Sequence, residues 1–303
     1  MSAERWPPWP RGEVIALDVG GSSVKCGIVA GAGTQAGGMP PARDVARHLI
    51  DSGAAAERMA DRLAEIARGL IAQCRDPAFI AIAFPAPSDY ARGIPYLVGL
   101  AKFGSLYGVD LKGLIARRLG RDIPMHFVND AAAAALGEAL ARQLDTPALM
   151  LTVGTGLGSA FLDGMAMSGR ALPWSTSGEL YAEPALDARA DDVFSIRGLD
   201  ARLAPLSIRC AELPAIVAAG QVSAELAAEL ARFGADLGRW VRPYAVFADC
   251  RLIIVGGGLG QMFDWFGPAF AAAAGIAVEP ARLGDRAALV GAAFACLDRE
   301  GMA

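Results

Sequence analysis

Histidine is almost missing from this chain, with two in 303 residues, and none of the five cysteines (Cys26, Cys74, Cys210, Cys250, Cys296) forms a C-x-x-C pair. Odd in number and widely spread, they fit reduced thiols and exclude a disulfide frame or a zinc knot. No block of Lys or Arg stands out, and a net charge of −4 with a pI near 5.3 excludes the electrostatic surface that nucleic acid or an anionic membrane needs. Long apolar runs are absent too. Ala287 to Leu297 is too short to span a bilayer, and Met1 to Arg11 holds Trp6, Pro7, Pro8, Trp9 and Pro10 with no apolar signal core. The expectation is a cytoplasmic protein with no nucleic-acid or membrane partner and no structural metal. Two generic nucleotide motifs are also lacking. No segment reads G-x-x-x-x-G-K-[ST], and neither Gly154 to Gly158 nor Gly256 to Gly260 has the G-x-G-x-x-G spacing.

What is present is a hydrophobic chain, 54% apolar with mean hydropathy +0.36, large enough for two domains or one big one. Two glycine turns of one kind, Asp18-Val19-Gly20-Gly21-Ser22-Ser23-Val24-Lys25 and Thr152-Val153-Gly154-Thr155-Gly156-Leu157-Gly158-Ser159, each follow an apolar run. Glycine lets a phosphate oxygen approach successive backbone N–H groups, and small hydroxyls complete an anion site. The pair points to nucleotide chemistry.

Strand-like runs at Glu13 to Asp18 and Val24 to Ala30 flank the first turn, and a third follows at Phe79 to Phe84. Between them, Met59, Leu63, Ile66 and Leu70 mark one face of a helix over Ala54 to Ile71, with Asp51 or Ser52 as its cap. His48 falls on the polar side of a helix, and His126 in a half-buried strand position. Alternating strands and helices imply an α/β fold. Ile123 to Val128 reads as a strand and Ala131 to Arg142 as a helix, so Asp130 sits at a strand-to-helix junction. That is the place of a helix cap, and also of a catalytic carboxylate at the carboxyl end of a strand. Leu149 to Val153 and Ser159 to Leu162 flank the second turn, so the second half begins as the first does. Trp174 to Pro214 is irregular and reads as a surface loop, Ser223 to Val241 as a helix. Leu252 to Val255 is a buried strand that runs into Gly256-Gly257-Gly258. A last helix, about Arg286 to Arg299, is suited to cross back onto the first half.

In order and spacing these segments resemble the ROK family of sugar kinases, within the actin, hexokinase and Hsp70 superfamily. Ala16 to Lys25 is similar to the first phosphate motif, and Val128-Asn129-Asp130-Ala131 with Gly137-Glu138 to the catalytic motif. Leu151 to Gly164 is similar to the second phosphate motif, Ile253 to Gly258 to the adenosine motif, and Ala288 to Ala293 completes the pattern. The resemblance implies two actin-like (ribonuclease H-like) domains with a cleft between them. These would comprise residues 1–128 with about 288–303, and residues 129–287. It further implies an ATP-dependent kinase acting on a hexose, and a homodimer. Asp130 is then the general base and Asn129 a sugar contact. Gly20, Gly21, Ser22, Ser23, Lys25, Gly154, Thr155 and Gly156 hold phosphates, Asp18 lies near Mg²⁺ through water, and Gly256, Gly257 and Gly258 pass the adenosine. For Lys25 a solvated strand position is the competing reading, and for Asn129 a turn-forming one.

The chain departs from the family on the acceptor side. The family's Gly-Glu-x-Gly-His stretch reads Gly178-Glu179-Leu180-Tyr181-Ala182, keeping Glu179 for the sugar but losing the histidine, and the cysteine-rich zinc loop is missing. Pro85-Ala86-Pro87 and Leu97 to Phe103 lack the family's glycine and asparagine, with Lys102 and Tyr181 as replacements for lost contacts or as ordinary surface and packing residues. Two alternatives follow: a polyphosphate-dependent glucokinase, since Thr152 to Gly164 resembles the turn of such enzymes, and a non-catalytic sugar or nucleotide sensor. A DNA-binding repressor is not expected, because about a dozen residues precede the first strand.

Overall fold

The computed structural model describes residues 12–30, 40–98, 102–169, 173 and 179–297. They form two compact units, one running up to Arg142 and resuming at Asp285, the other from Gln143 to Gly284.

The first unit is built on a five-stranded sheet. Strands β1 (Glu13–Val19), β2 (Ser23–Val29), β3 (Ala42–Leu49), β4 (Pro77–Phe84) and β7 (Met125–Asn129) lie in the order β3-β2-β1-β4-β7. The short pair β5 (Ser88–Asp89) and β6 (Ile94–Pro95) is separate. Strand β2 runs antiparallel to both of its neighbours, β1 and β3, and β4 and β7 run parallel to β1. Helices α1 (Ala56–Ile71) and α2 (Leu111–Leu119) cross over between parallel strands, as parallel pairing requires. Ile15, Leu17, Ile80 and Ile82 meet Met59, Leu63 and Leu70 of α1 in one buried cluster. Each such side chain contributes roughly 1.5–3 kcal/mol on burial. Alternation sends Val14, Ala16 and Asp18 to the opposite face of the sheet, which α9 (Ala287–Ala295) covers beside α3 (Asp130–Arg142). Strands buried on both faces explain the near-continuous apolar runs of β1 and β4.

The second unit repeats the plan. Strands β8 (Pro147–Val153), β9 (Leu157–Asp163), β10 (Ala166–Met167), β13 (Leu252–Gly256) and β14 (Ala277–Pro280) lie in the order β10-β9-β8-β13-β14. Again the first three are antiparallel and the last two are parallel. A two-stranded ribbon, β11 (Pro184–Ala185) and β12 (Ala188–Arg189), leads into the short helices α4 (Ala190–Val193), α5 (Ile196–Leu203) and α6 (Leu213–Ala218). They are followed by α7 (Ala224–Phe247) and α8 (Phe263–Ala274). Ser223 caps α7 by accepting the Leu226 N–H at 3.2 Å. On α7, a Cβ at Gly234 would sit 2.2 Å from the Phe266 carbonyl oxygen and one at Gly238 2.5 Å from that of Phe270, so α8 crosses at backbone contact. The same device recurs in the first unit. A Cβ on Gly291 of α9 would meet the Ala133 oxygen at 1.7 Å, and one on Gly137 of α3 the Ala287 oxygen at 2.0 Å.

Several expectations are corrected. His48 lies in β3, not in a helix; this edge strand carries Arg43, Asp44 and Arg47 and is largely exposed, so its sequence lacks an apolar signal. Neither Asp51 nor Ser52 caps α1, whose N-cap is Ala55; Asp51 Oδ1 instead accepts the Gly53 N–H at 2.9 Å. Among the described residues of the 174–214 stretch, Leu199, Leu203 and Leu213 are fully buried in helices and Phe194 at the corner between α4 and α5, so this is not a surface loop. The division between units falls after Arg142 and not at 128/129, because β7 pairs with β4 and α3 packs on α9. Asp130 therefore belongs to the first unit.

Candidate functional site

In the first unit the chemistry gathers at the ends of β1 and β7. The Gly20–Ser22 connection is a hairpin turn closed by the Gly20 N–H donating to the Ser23 oxygen at 2.9 Å. A Cβ at Gly20 would lie 3.2 Å from that oxygen, so glycine is favoured by space and not by positive φ. Ser22 is exposed on the turn, whereas Ser23 is buried as the first residue of β2. The register places Asp18 directly opposite Lys25, and their side chains pair at 3.0 Å. Lys25 Nζ also lies 3.6 Å from Asp285, which Arg47 grips at 3.0 and 2.8 Å. Burial works to lower the pKa of Lys25, but the carboxylates of Asp18 and Asp285 outweigh it and hold the ammonium above the lysine range. Lys25 is thus a compensated, part-buried charge. Asp285 went unread in the sequence because the pairing spans more than 200 residues.

Asn129 and Asp130 open α3. Asn129 Oδ1 accepts the Ala132 N–H at 2.8 Å, which caps the helix, and its Nδ2 donates to the Tyr90 hydroxyl at 3.1 Å. The Ala131 N–H holds Asp130 Oδ1 at 2.8 Å. Burial, followed by the negative charge of Asp18, lifts the Asp130 carboxyl to about 6, against the opposing pull of Lys102 and of the backbone N–H groups. A carboxyl poised near neutrality at the carboxyl end of a parallel strand has the character of a general base. Lys102 is set there by Phe103, a buried residue in left-handed backbone (φ 60°) whose ring packs on Phe84 at 5.2 Å. Tyr90 carried no motif; the β5/β6 turn alone brings it to Asn129.

In the second unit the Gly154–Gly156 turn joins β8 to β9, the topological counterpart of the β1/β2 connection, with the Gly154 N–H donating to the Gly156 oxygen at 3.0 Å. Thr155 is exposed at its tip. Of the Gly256–Gly258 segment, Gly257 alone is at positive φ (84°), and a Cβ there would stand 2.6 Å from the Val153 oxygen. The end of β13 is therefore pressed against the end of β8, and Gly154 has Gly258 as a near neighbour. Glu179 is half-buried beside Tyr181, whose hydroxyl is raised by burial and then by the charges of Glu179 and Asp191. The Leu180 N–H anchors this stretch to Ser159 Oγ at 2.7 Å. Gly178 and the 99–101 stretch lie outside the described residues, as does the segment from Trp6 to Pro10. Among the described residues no helix is long and apolar enough to cross a membrane.

Two units with one strand order and a glycine hairpin at the same point of each sheet make this an α/β protein of two actin-like domains. Residues 14–299 match the ROK family, and the chain belongs to that family. No curated protein matches it in sequence. Among solved structures it is similar to a ROK family glucokinase from Streptomyces griseus in complex with glucose and AMPPNP. The identity is 21%, the TM-score 0.73, and 93% of this chain and 98% of that one are covered. It is similar also to an inorganic polyphosphate/ATP-glucomannokinase from Arthrobacter sp. strain KM (23% identity, TM-score 0.70, 95% and 99% covered). A ROK family transcriptional regulator, a homolog of the E. coli MLC protein, is similar at 16% identity and TM-score 0.70, with 93% and 77% covered. Identities at this level carry the fold and leave the chemistry to the residues.

Proposed function

We propose that the chain is a sugar kinase that transfers the γ-phosphate of ATP to a hydroxyl of a hexose or hexose derivative. The observation that carries this reading is Asp130, a carboxyl lifted to about 6 at the start of α3. Above that pH it is ionised and accepts the proton of the sugar hydroxyl. As the proton moves, the sugar oxygen bonds to the γ-phosphorus, the bond to the β-phosphate oxygen breaks, and ADP leaves. Base assistance of this kind contributes about 10² to 10⁴ in rate, and the remainder is positioning and charge neutralisation.

Asn129, fixed by its cap and by Tyr90, presents its amide beside the base for a sugar hydroxyl, and Glu179 supplies a second acceptor contact. Gly20, Gly21, Ser22 and Ser23, with Gly154, Thr155 and Gly156, offer N–H groups and hydroxyls to phosphate, and Gly256 to Gly258 pass the adenosine. Lys25 contributes positive charge near the first turn while staying paired to Asp18. A Mg²⁺ ion riding on the phosphates would offset their charge. Among the described residues no three His, Cys, Asp or Glu side chains gather around a point, so such an ion fits water and phosphate oxygens with Asp18 as the protein carboxylate. We further place the protein in the cytoplasm as a homodimer, its five cysteines all free; light scattering in solution checks the dimer.

The decisive experiment is one assay panel of hexoses, amino sugars and sugar acids with ATP and, separately, polyphosphate as donor. Phosphorylated sugar with ADP release supports the reading, and turnover with polyphosphate alone assigns the other donor, the one named for the Arthrobacter enzyme. Tight nucleotide binding without transfer to any acceptor favours the sensor reading, which the lost histidine after Glu179 and the likeness to a ROK regulator motivate.

A further inference from the structure

The corner between α4 and α5 is tied to the second glycine turn on both sides of Thr155. Asp191, 6% exposed, accepts the N–H of Leu157, the residue after Gly156, at 2.7 Å. Ile196, the first residue of α5, donates its N–H to the Gly154 oxygen at 2.8 Å. Arg197 binds the second oxygen of Asp191 at 2.6 Å, so the buried carboxylate is compensated locally. The corner itself is closed tightly: a Cβ on Gly198 would lie 2.1 Å from the Val193 oxygen. It also reaches the adenosine segment, since a Cβ at Gly258 would lie 3.6 Å from the Ile196 side chain.

We propose that Asp191 is a positioning residue for the phosphate donor, holding the Gly154–Gly156 turn in its binding geometry before the donor arrives. The proposal rests on the kinase reading above. A glycine turn left to itself samples many backbone states, and a donor that has to order it binds more weakly. Fixing the turn from behind with a charge-assisted hydrogen bond to Leu157 and a helix-start N–H to Gly154 removes that cost. The turn's outward N–H groups are then set at the correct spacing without Asp191 touching the phosphate. No local motif announces this, because the carboxylate comes from 34 residues downstream of the amide it holds.

The test is steady-state kinetics with Mg·ATP and with polyphosphate, together with amide exchange at Leu157, on the full chain and on Asp191→Asn and Asp191→Ala. The alanine variant is expected to raise the donor KM about tenfold with the hexose KM unchanged, the loss of one charge-assisted bond. The asparagine variant keeps an acceptor for the Leu157 N–H and is expected to raise it only about threefold. Leu157 exchange accelerates in the same order. An unchanged donor KM in Asp191→Asn, or donor and hexose KM rising together, overturns the proposal, and the asparagine variant decides alone if the alanine variant does not fold. A wild-type chain that neither binds nor uses a phosphate donor overturns the kinase reading and this role with it, whereas a competent wild type with unchanged variants overturns only the positioning.

Discussion

Replacing Asp130 by Asn separates what the carboxyl does for the reaction from what it costs the fold. The folded-state pKa is raised from 3.8 to about 6, so the native protein binds this proton more tightly than the unfolded chain does. Below pH 4 the carboxyl is protonated in both states and carries no penalty. Between pH 4 and 6 the penalty grows, and above 6 it is complete at up to about 3 kcal/mol. Residual access to water screens part of it, so that figure is a ceiling. Asparagine is neutral throughout and keeps an oxygen for the Ala131 N–H. The variant's stability relative to wild type should therefore climb between pH 4 and 6 and level off above, read from urea unfolding at closely spaced pH values with domain-specific probes. Phosphoryl transfer should fall by about 10² to 10⁴ in the same variant. A stability difference that is flat from pH 4 to 7 would refute the claim that burial and Asp18 hold this carboxyl in its raised state.

Wild-type kcat/KM for the sugar should drop about tenfold per pH unit below about 6, since the free enzyme must present Asp130 ionised; a profile level down to pH 4.5 would remove Asp130 as the base. Gly291→Ala should destabilise the first unit by roughly 1–3 kcal/mol, because its methyl group would overlap the Ala133 carbonyl of α3, and thermal unfolding measures it. Ser195 is fully buried and its hydroxyl has no partner among the described residues. Ser195→Ala should thus leave stability unchanged or raise it by about 1 kcal/mol, and a clear loss in the unfolding midpoint would show that the hydroxyl is engaged.

The elements with strong local signals were legible. The apolar face of α1, the flanks of both glycine turns, the strand-to-helix junction at Asp130 and the return of α9 onto the first half all follow from periodicity, propensity and turn chemistry. Elements whose signal is tertiary were not. Strand β3 looks like a polar segment because it is an exposed edge. The helices between 190 and 218 are short, and their burial depends on α7 packing over them. The backbone state of each glycine is likewise tertiary: of the glycines assigned to the nucleotide, Gly257 is the one held at positive φ, and Gly20 is constrained by space.

By itself the sequence determined that this is a two-part α/β protein with two glycine hairpins, a carboxylate at a strand end and an eroded acceptor motif, because each of these is written within a dozen neighbouring residues. Only the tertiary structure decided how those groups are tuned. Asp130 is raised by burial and by Asp18 across the sheet, the ammonium of Lys25 is held charged by Asp18 and Asp285, and the second turn is held by Asp191 and Ile196. These are interactions between residues far apart in the chain, and burial and electrostatics depend on what folding brings near and not on what the sequence places adjacent.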